Sequence, residues 1–419
     1  GGTSVRDIVV IGAGLSGLSA AVRLLKAGRE VDLITKGIGG IQLGQGTIDL
    51  YGYSPERVDN PLAEIDKLPQ SHPYGKLGSQ AVADSANWLK EQLGADLLAG
   101  SPDKNVFLPT CLGAWRPTCL PQPSMLAGAP EDGKKYVIVG LRRLKDFYPQ
   151  LVAENLEKEE IPGGGKVSAR HIWIDIPVRH DEADTSGLNF ARALDTEDFR
   201  AKFCDEIKRY LKDGEVVGFP AVLGLKDRGA WKDIAHRLGH EVFEIPILPP
   251  SIPGMRINET LTQMVRDLGV RYIIGSEVTG LNVSDGRVES VTFDSAGSET
   301  SLKAKHFIYA GGGFESGTLH VDSYWNVTER AFDLPLAIPT GPLVHEDYWG
   351  PDQPLFEVGV QVDSQMRVLD ASGNPLYQNL YAAGGLLAGA TRWREKSGDG
   401  IALASALRAC DTILGDTND

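Results

Sequence analysis

The run Asp7-Ile-Val-Val-Ile-Gly-Ala-Gly-Leu-Ser-Gly17 decides the fold of this chain. Ile8 to Ile11 form an apolar stretch with no polar alternation, the pattern of a parallel strand buried on both faces. A helical pattern, Leu15 to Ala27, follows at once. The glycines between and after them have separate tasks. Gly12 permits the tight turn, Gly14 lets the backbone approach a pyrophosphate, and Gly17 lets the helix pack closely on the strand. The helix N-terminus, opened by Leu15 and Ser16, then faces the phosphates.

A second strand, Glu30 to Thr35, completes the setting of a nucleotide-binding α/β unit. The acid expected at its end, where it would bond the adenosine ribose, is missing: Thr35 stands there, followed by Lys36, and Asp32 lies too early. That departure weakens plain NAD binding. It leaves FAD held by a hydroxyl and a lysine, or FMN, which has no adenosine. The glycine-rich run Gly37 to Gly52 comes next, too rich in glycine for a helix and placed to wrap a ligand with backbone amides, Gly44, Gly46 and Thr47 among them.

With 419 residues the chain exceeds the usual size of one core. A formal charge of −14 argues against a nucleic-acid or anionic-lipid surface. There is no apolar run long enough to span a membrane and no secretion leader, which predicts a cytoplasmic protein without a direct membrane span. Four cysteines, Cys111, Cys119, Cys204 and Cys410, form no CxxC pair and no ligand-like cluster with histidine, so neither iron-sulfur cluster nor structural zinc is expected in this chain.

Farther along, Ala81 to Leu93 reads as a helix and Leu108 to Pro130 as irregular chain. A second α/β region follows: strands 136–139, 171–176, 216–219 and 241–245, with helices 189–211 and 230–238. Residues 271–293 read as strands turning at Asp285-Gly286, 305–310 as a strand ending in glycines, and 359–369 as a hairpin. A short strand, 379–383, and a last helix, 400–414, close the pattern. The fold expected is α/β: a Rossmann-like nucleotide-binding domain in two parts (5–130 and 270–419), with a large inserted α/β domain (131–269).

The opening motif, Ile308-Tyr-Ala-Gly-Gly-Gly-Phe314 and Asn379-Leu-Tyr-Ala-Ala-Gly-Gly385 together resemble the glutathione-reductase-like flavoproteins. Gly46-Thr-Ile-Asp-Leu50, Ser71-His-Pro-Tyr74, Pro246-Ile-Leu-Pro-Pro-Ser-Ile252 and Gly254-Met-Arg256 narrow the likeness to the B-subunit family of anaerobic glycerol-3-phosphate dehydrogenases, over most of the chain. The resemblance implies one flavin, FAD or FMN, touched by Ala310, Gly311, Gly384 and Gly385. It also implies a last helix starting near Gly398 whose N-terminus faces the flavin, with Ser397 and Gly400 supplying amides and Ile401 beside them.

It further implies a complex with a catalytic FAD subunit and an iron-sulfur subunit that brings the assembly to the membrane. Electrons then pass from glycerol 3-phosphate toward quinone. His72 is the acid-base candidate, because histidine titrates near neutrality and alcohol oxidation releases a proton. Arg116 and Arg256 are candidates for a substrate phosphate. The interval Glu315 to Phe356 offers His320 and His345 but no obvious constellation for hydride transfer. Two other readings stay open: a self-sufficient FAD dehydrogenase of another small polar substrate, and a structural subunit without flavin.

Overall fold

The computed structural model describes residues 5–37, 39–179, 183–344 and 353–416; His345 lies outside them. Its contacts divide the chain into two compact units, Gly1–Gly40 with Asp49–Leu89 and Thr260–Asp419, and Ile41–Ile48 with Lys90–Glu259. Both are α/β.

In the first unit the strand Arg6–Ile11 pairs in parallel with Val31–Thr35 on one side and with the end of Ser298–Tyr309 on the other. Arg271–Ile274 extends the parallel sheet beyond Val31–Thr35, and Leu380–Ala382 does so beside Ser298–Tyr309. Ile8, Val9 and Val10 are fully buried, as an unalternating apolar strand requires. The first half of Ser298–Tyr309 leaves this layer to pair antiparallel with Arg287–Ser295, which in turn pairs with Val278–Ser284. The connecting turn has positive φ at Asp285 and Gly286, the backbone hand that matches strand twist in a tight hairpin. Helix Leu15–Lys26 lies against the last helix, Gly398–Leu414, and an Arg23–Asp411 ion pair of 2.9 Å joins them.

The second unit is built on a four-stranded parallel sheet in the order Ser168–Ile174, Lys135–Leu141, Glu215–Pro220, Val242–Ile245. Side chains alternate across it. Val137, Val139 and Phe219 face a cluster with Phe190, Phe203 and Ile234, whereas Tyr136, Ile138 and Phe243 face one with Trp115, Val152 and Leu156.

Several details differ from the sequence expectations. The second unit comprises Ile41–Ile48 and Lys90–Glu259, against 131–269 in the sequence reading; Ser124 bonds Glu244 and Tyr136 bonds the Gly128 carbonyl, which ties residues just before 130 to that sheet. The stretch read as irregular contains a small hairpin, Val106–Pro109 with Trp115–Thr118. The single helix expected over 189–211 is two, Gly187–Leu194 and Glu197–Lys208. Asp195 interrupts it by accepting the amides of Leu225, Lys226 and Asp227. Residues 271–293 hold a parallel strand as well as a hairpin. Residues 359–369 turn back on themselves through the antiparallel bridge of Val362 with Val368, flanked by the Asp363 N–H to the Arg367 carbonyl and the Leu369 N–H to the Gln361 carbonyl, but the only regular strand there among the described residues is Gly359–Val360. Helix Ile252–Asp267 was hidden behind the prolines that precede it.

Candidate functional site

Gly12 has φ +107°, and a Cβ there would overlap the Ala310 carbonyl oxygen. A Cβ on Gly17 would overlap the carbonyl oxygen of Gly12. Both glycines are therefore demanded by the protein itself. Gly14 is different: its added Cβ meets nothing nearer than the Gly40 nitrogen at 3.8 Å, so the fold leaves room there. Gly14 is also the N-cap of its helix, with no side chain capping it and no acid in the first turn. Uncapped N–H groups at a helix start, with space before them, suit an anion.

The other strands bring further pieces of the first unit together. Ala310 donates its N–H to the Ile11 carbonyl at 2.8 Å, which places the end of Ser298–Tyr309 beside the opening motif. The Gly311 carbonyl accepts from Ser316 Oγ at 2.7 Å and Thr318 Oγ1 at 2.6 Å. A Cβ on Gly311 would crowd the Tyr309 ring, and the Tyr309 hydroxyl donates to Glu329 Oε1 at 2.9 Å. Burial pushes both the phenol and the carboxyl up from their ordinary values. Gly384, at φ +79°, donates its N–H to Ser405 Oγ at 2.9 Å, and a Cβ added there would come within 2.5 Å of Ser16 Oγ. A Cβ added to Gly385 would make a tight contact, 3.1 Å, with the Gly313 amide nitrogen.

The last helix begins at Gly398 with Ser397 as N-cap, as the resemblance implied. Two expected amides are corrected. Ser397 N–H goes to the Arg392 carbonyl at 3.2 Å and Gly400 N–H to the Asp49 carbonyl at 3.1 Å, so neither is left for a ligand. Ile401 is fully buried. Ser397 Oγ, by contrast, is buried without a hydrogen-bond partner among the described residues. Asp399, in the first turn, accepts the Asp49 N–H at 3.0 Å.

Other expected contacts are also relocated. Thr35 donates its hydroxyl proton to the Gly37 carbonyl at 2.7 Å, and Lys36 forms an exposed ion pair with Glu277 at 3.5 Å. Asp32 is buried between Arg6 and Arg271, occupied within the sheet. Gly44, Gly46 and Thr47 belong to the second unit. There Gly44 closes a 3₁₀ turn onto Ile41, Gly46 packs on Pro253, and Thr47 Oγ1 accepts from Arg116 Nη2 at 3.0 Å. One residue that sequence reading did not single out, Gly39, backs directly onto the Ala13–Gly14 peptide. Its signal was diluted by the surrounding glycines.

The catalytic candidates are internally committed. His72 caps helix Pro73–Leu77: its Nδ1 accepts the Tyr74 N–H at 3.0 Å, and its Nε2 lies 2.9 Å from Glu395 Oε2. Arg116 is buried against Thr47 in the second unit. Arg256 uses its five N–H donors on Glu244, Gln122 and the Gly224 carbonyl, a correction to its expected phosphate role. His320 sits in the short strand Leu319–Val321, opposite Thr328. Cys111, Cys119, Cys204 and Cys410 are free thiols, with burial pushing Cys204 up to about 12.

The FAD binding domain family matches residues 7–401. A relative from Pectobacterium carotovorum subsp. carotovorum (strain PC1), named as the B subunit of anaerobic glycerol-3-phosphate dehydrogenase, is 30% identical over 98% of this chain and 99% of its own. This chain belongs to that B-subunit family. A second member, from Pasteurella multocida (strain Pm70), is 29% identical over 98% of this chain and 99% of its own. Among solved structures, 3-ketosteroid delta1-dehydrogenase from Sterolibacterium denitrificans aligns with TM-score 0.45 at 12% identity, covering 98% of this chain and 99% of that one.

Membership makes the chain a flavin-dependent oxidoreductase subunit, and the FAD binding domain match decides the FAD-or-FMN alternative for FAD. The first unit fits a flavin: an uncapped helix start with open space at Gly14, glycine crossings at Gly12 and Gly384, and the orphaned Ser397 hydroxyl. When bound, a flavin supplies the electron-accepting ring, while the protein supplies position and partial charge. Among the described residues no helix is long and apolar enough to cross a membrane, and no group of three or more His, Cys, Asp or Glu is placed to hold a metal ion.

Proposed function

We propose that this chain is the flavin-bearing relay of a quinone-linked glycerol-3-phosphate dehydrogenase complex, passing electrons from a catalytic FAD subunit to an iron-sulfur subunit at the membrane. The observation that carries the reading is the commitment of His72, Arg116 and Arg256 to the scaffold, which leaves the expected acid-base and phosphate-binding residues engaged within their own units. The flavin would be held by Gly12, Gly14, Leu15, Ser16 and Gly17 at its phosphates and by Ala310, Gly311, Gly384, Gly385, Ser397 and Gly398 along its length. The N-terminus of the last helix, which no N-cap side chain caps, would favour negative charge on a reduced flavin.

The test is anaerobic reduction of the purified, flavin-loaded chain. Glycerol 3-phosphate alone leaves its 450 nm band unchanged, and the band bleaches once the catalytic subunit is added. Direct bleaching by glycerol 3-phosphate would replace the relay with the self-sufficient dehydrogenase.

A further inference from the structure

A cavity of about 480 Å³ opens in the first unit beside the His72–Glu395 pair. That is within the size range of small-molecule sites. Its wall mixes apolar residues such as Pro73, Ile338 and Val362 with Lys76, Arg394, Glu357 and Gln361. The polar groups are not equally available. Glu395 has one oxygen on the Thr391 N–H at 3.0 Å and both facing His72 Nε2, so its charge is satisfied within the wall.

Lys76 is the contrasting case. It is half-buried, its ammonium donates to the Gln70 carbonyl, and it forms no ion pair among the described residues. Burial draws it below the ordinary lysine range. A desolvated cation with no counter-charge gains most from an anion placed beside it. Arg394, whose Nη2 lies 3.3 Å from Thr391 Oγ1, brings a second positive charge, a guanidinium, to the same wall. Glu357 makes no ion pair among the described residues either, and a carboxylate facing a cavity is an acceptor for hydroxyl groups.

We propose that this cavity binds a small hydroxylated organic anion, with Lys76 and Arg394 taking the anionic group and Glu357 and Gln361 accepting from its hydroxyls. The anion is a phosphate monoester or a short hydroxycarboxylate; both present the same pairing of charge and hydroxyl. The site also adjoins Ser397, one of the residues proposed above to hold the flavin. The His72 ring stacks on Tyr74 at 5.4 Å between centroids, and the Tyr74 hydroxyl lies against the Leu50 carbonyl and, at 3.2 Å, the carbonyl of Ser397, the N-cap of the last helix. The cavity is therefore joined by packed contacts to the start of the last helix.

The test is calorimetric titration of the purified, flavin-loaded chain with glycerol 3-phosphate, glycerate, inorganic phosphate and glycerol, with no electron donor or acceptor present. Its outcome is then independent of the relay reading. Glycerol 3-phosphate or glycerate binds saturably and more tightly than phosphate or glycerol alone, and whichever binds tighter identifies the anionic group. Lys76→Gln weakens that binding by about tenfold or more, the worth of a charge-assisted hydrogen bond. Glu357→Gln weakens the hydroxylated anion more than it weakens inorganic phosphate. Circular dichroism and flavin content check that each variant is folded. Absence of saturable binding by either anion, or binding unchanged in both Lys76→Gln and Arg394→Gln, overturns the proposal.

Discussion

His72 Nε2 and Glu395 Oε2 lie 2.9 Å apart, both side chains buried. Because Nδ1 accepts the Tyr74 amide, the proton is on Nε2 and points at the carboxylate. The pair joins helix Pro73–Leu77 to the segment that leads into the last helix, and the Glu395 carbonyl also accepts the amides of Gly52 and Tyr53. His72→Ala leaves a buried carboxylate without this partner, and about 3 kcal/mol of unfolding free energy should go with it. Denaturant titration followed by circular dichroism measures the loss. A variant of unchanged stability that no longer supports glycerol 3-phosphate oxidation would make His72 catalytic instead.

The two outer glycines of the opening motif and the middle one should separate on substitution. Gly17→Ala drives a methyl into the Gly12 carbonyl and should prevent accumulation of folded protein. Gly14→Asp meets open space, so the chain should fold with stability within about 1 kcal/mol of the parent. Its bulk and charge at the phosphates should nevertheless abolish flavin binding. The ratio of 450 nm to 280 nm absorbance reports the flavin. A Gly14→Asp protein with full flavin content would remove the phosphate assignment.

The first unit was legible because its signals are local. Ile8 to Ile11 lack alternation, Gly12 and Gly17 sit at contacts only glycine tolerates, and Asp285-Gly286 spells its turn. The role of the polar residues was not legible. Arg256 and Glu244 are 12 residues apart, and Gln122 is 134 residues from Arg256; nothing in either spacing reveals that they share one buried network. His72 and Glu395 are 323 residues apart, so a histidine beside a proline looked available when tertiary structure had already engaged it. Gly46 and Thr47 misled for a related reason: a glycine-rich run after a second strand suits a ligand, but packing on Pro253 and Arg116 used it first.

Acid should expose the Arg256–Glu244 network. Burial alone would raise the Glu244 carboxyl, but the Arg256 guanidinium, Ser124 and the Leu223 amide together hold it below the usual carboxylate range. With the folded value below the unfolded one, this contribution to stability is complete above about pH 4.3 and is lost as pH falls through the folded value. Glu244→Gln should remove that acid-dependent component and, by stranding Arg256, cost about 3–5 kcal/mol at neutral pH. Arg256→Met together with Glu244→Leu should recover much of it. Unfolding curves across acid pH decide the matter; an unchanged acid profile in Glu244→Gln would place the sensitivity elsewhere.

Asp399 offers a test of where the flavin ring lies. Its carboxylate occupies the first turn of the last helix and accepts the Asp49 amide. A negative charge there opposes the effect of the helix N-terminus on a reduced, anionic flavin. Asparagine keeps an oxygen for the Asp49 amide and removes only the charge. If the ring faces this helix end, Asp399→Asn should raise the two-electron midpoint potential by about 10–20 mV, the equivalent of about 0.5–1 kcal/mol. The rise should shrink at high salt, since the charge is partly screened. Spectroelectrochemical titration of parent and variant measures it directly. An unchanged potential with full flavin content would place the ring away from Ser397 and Gly398.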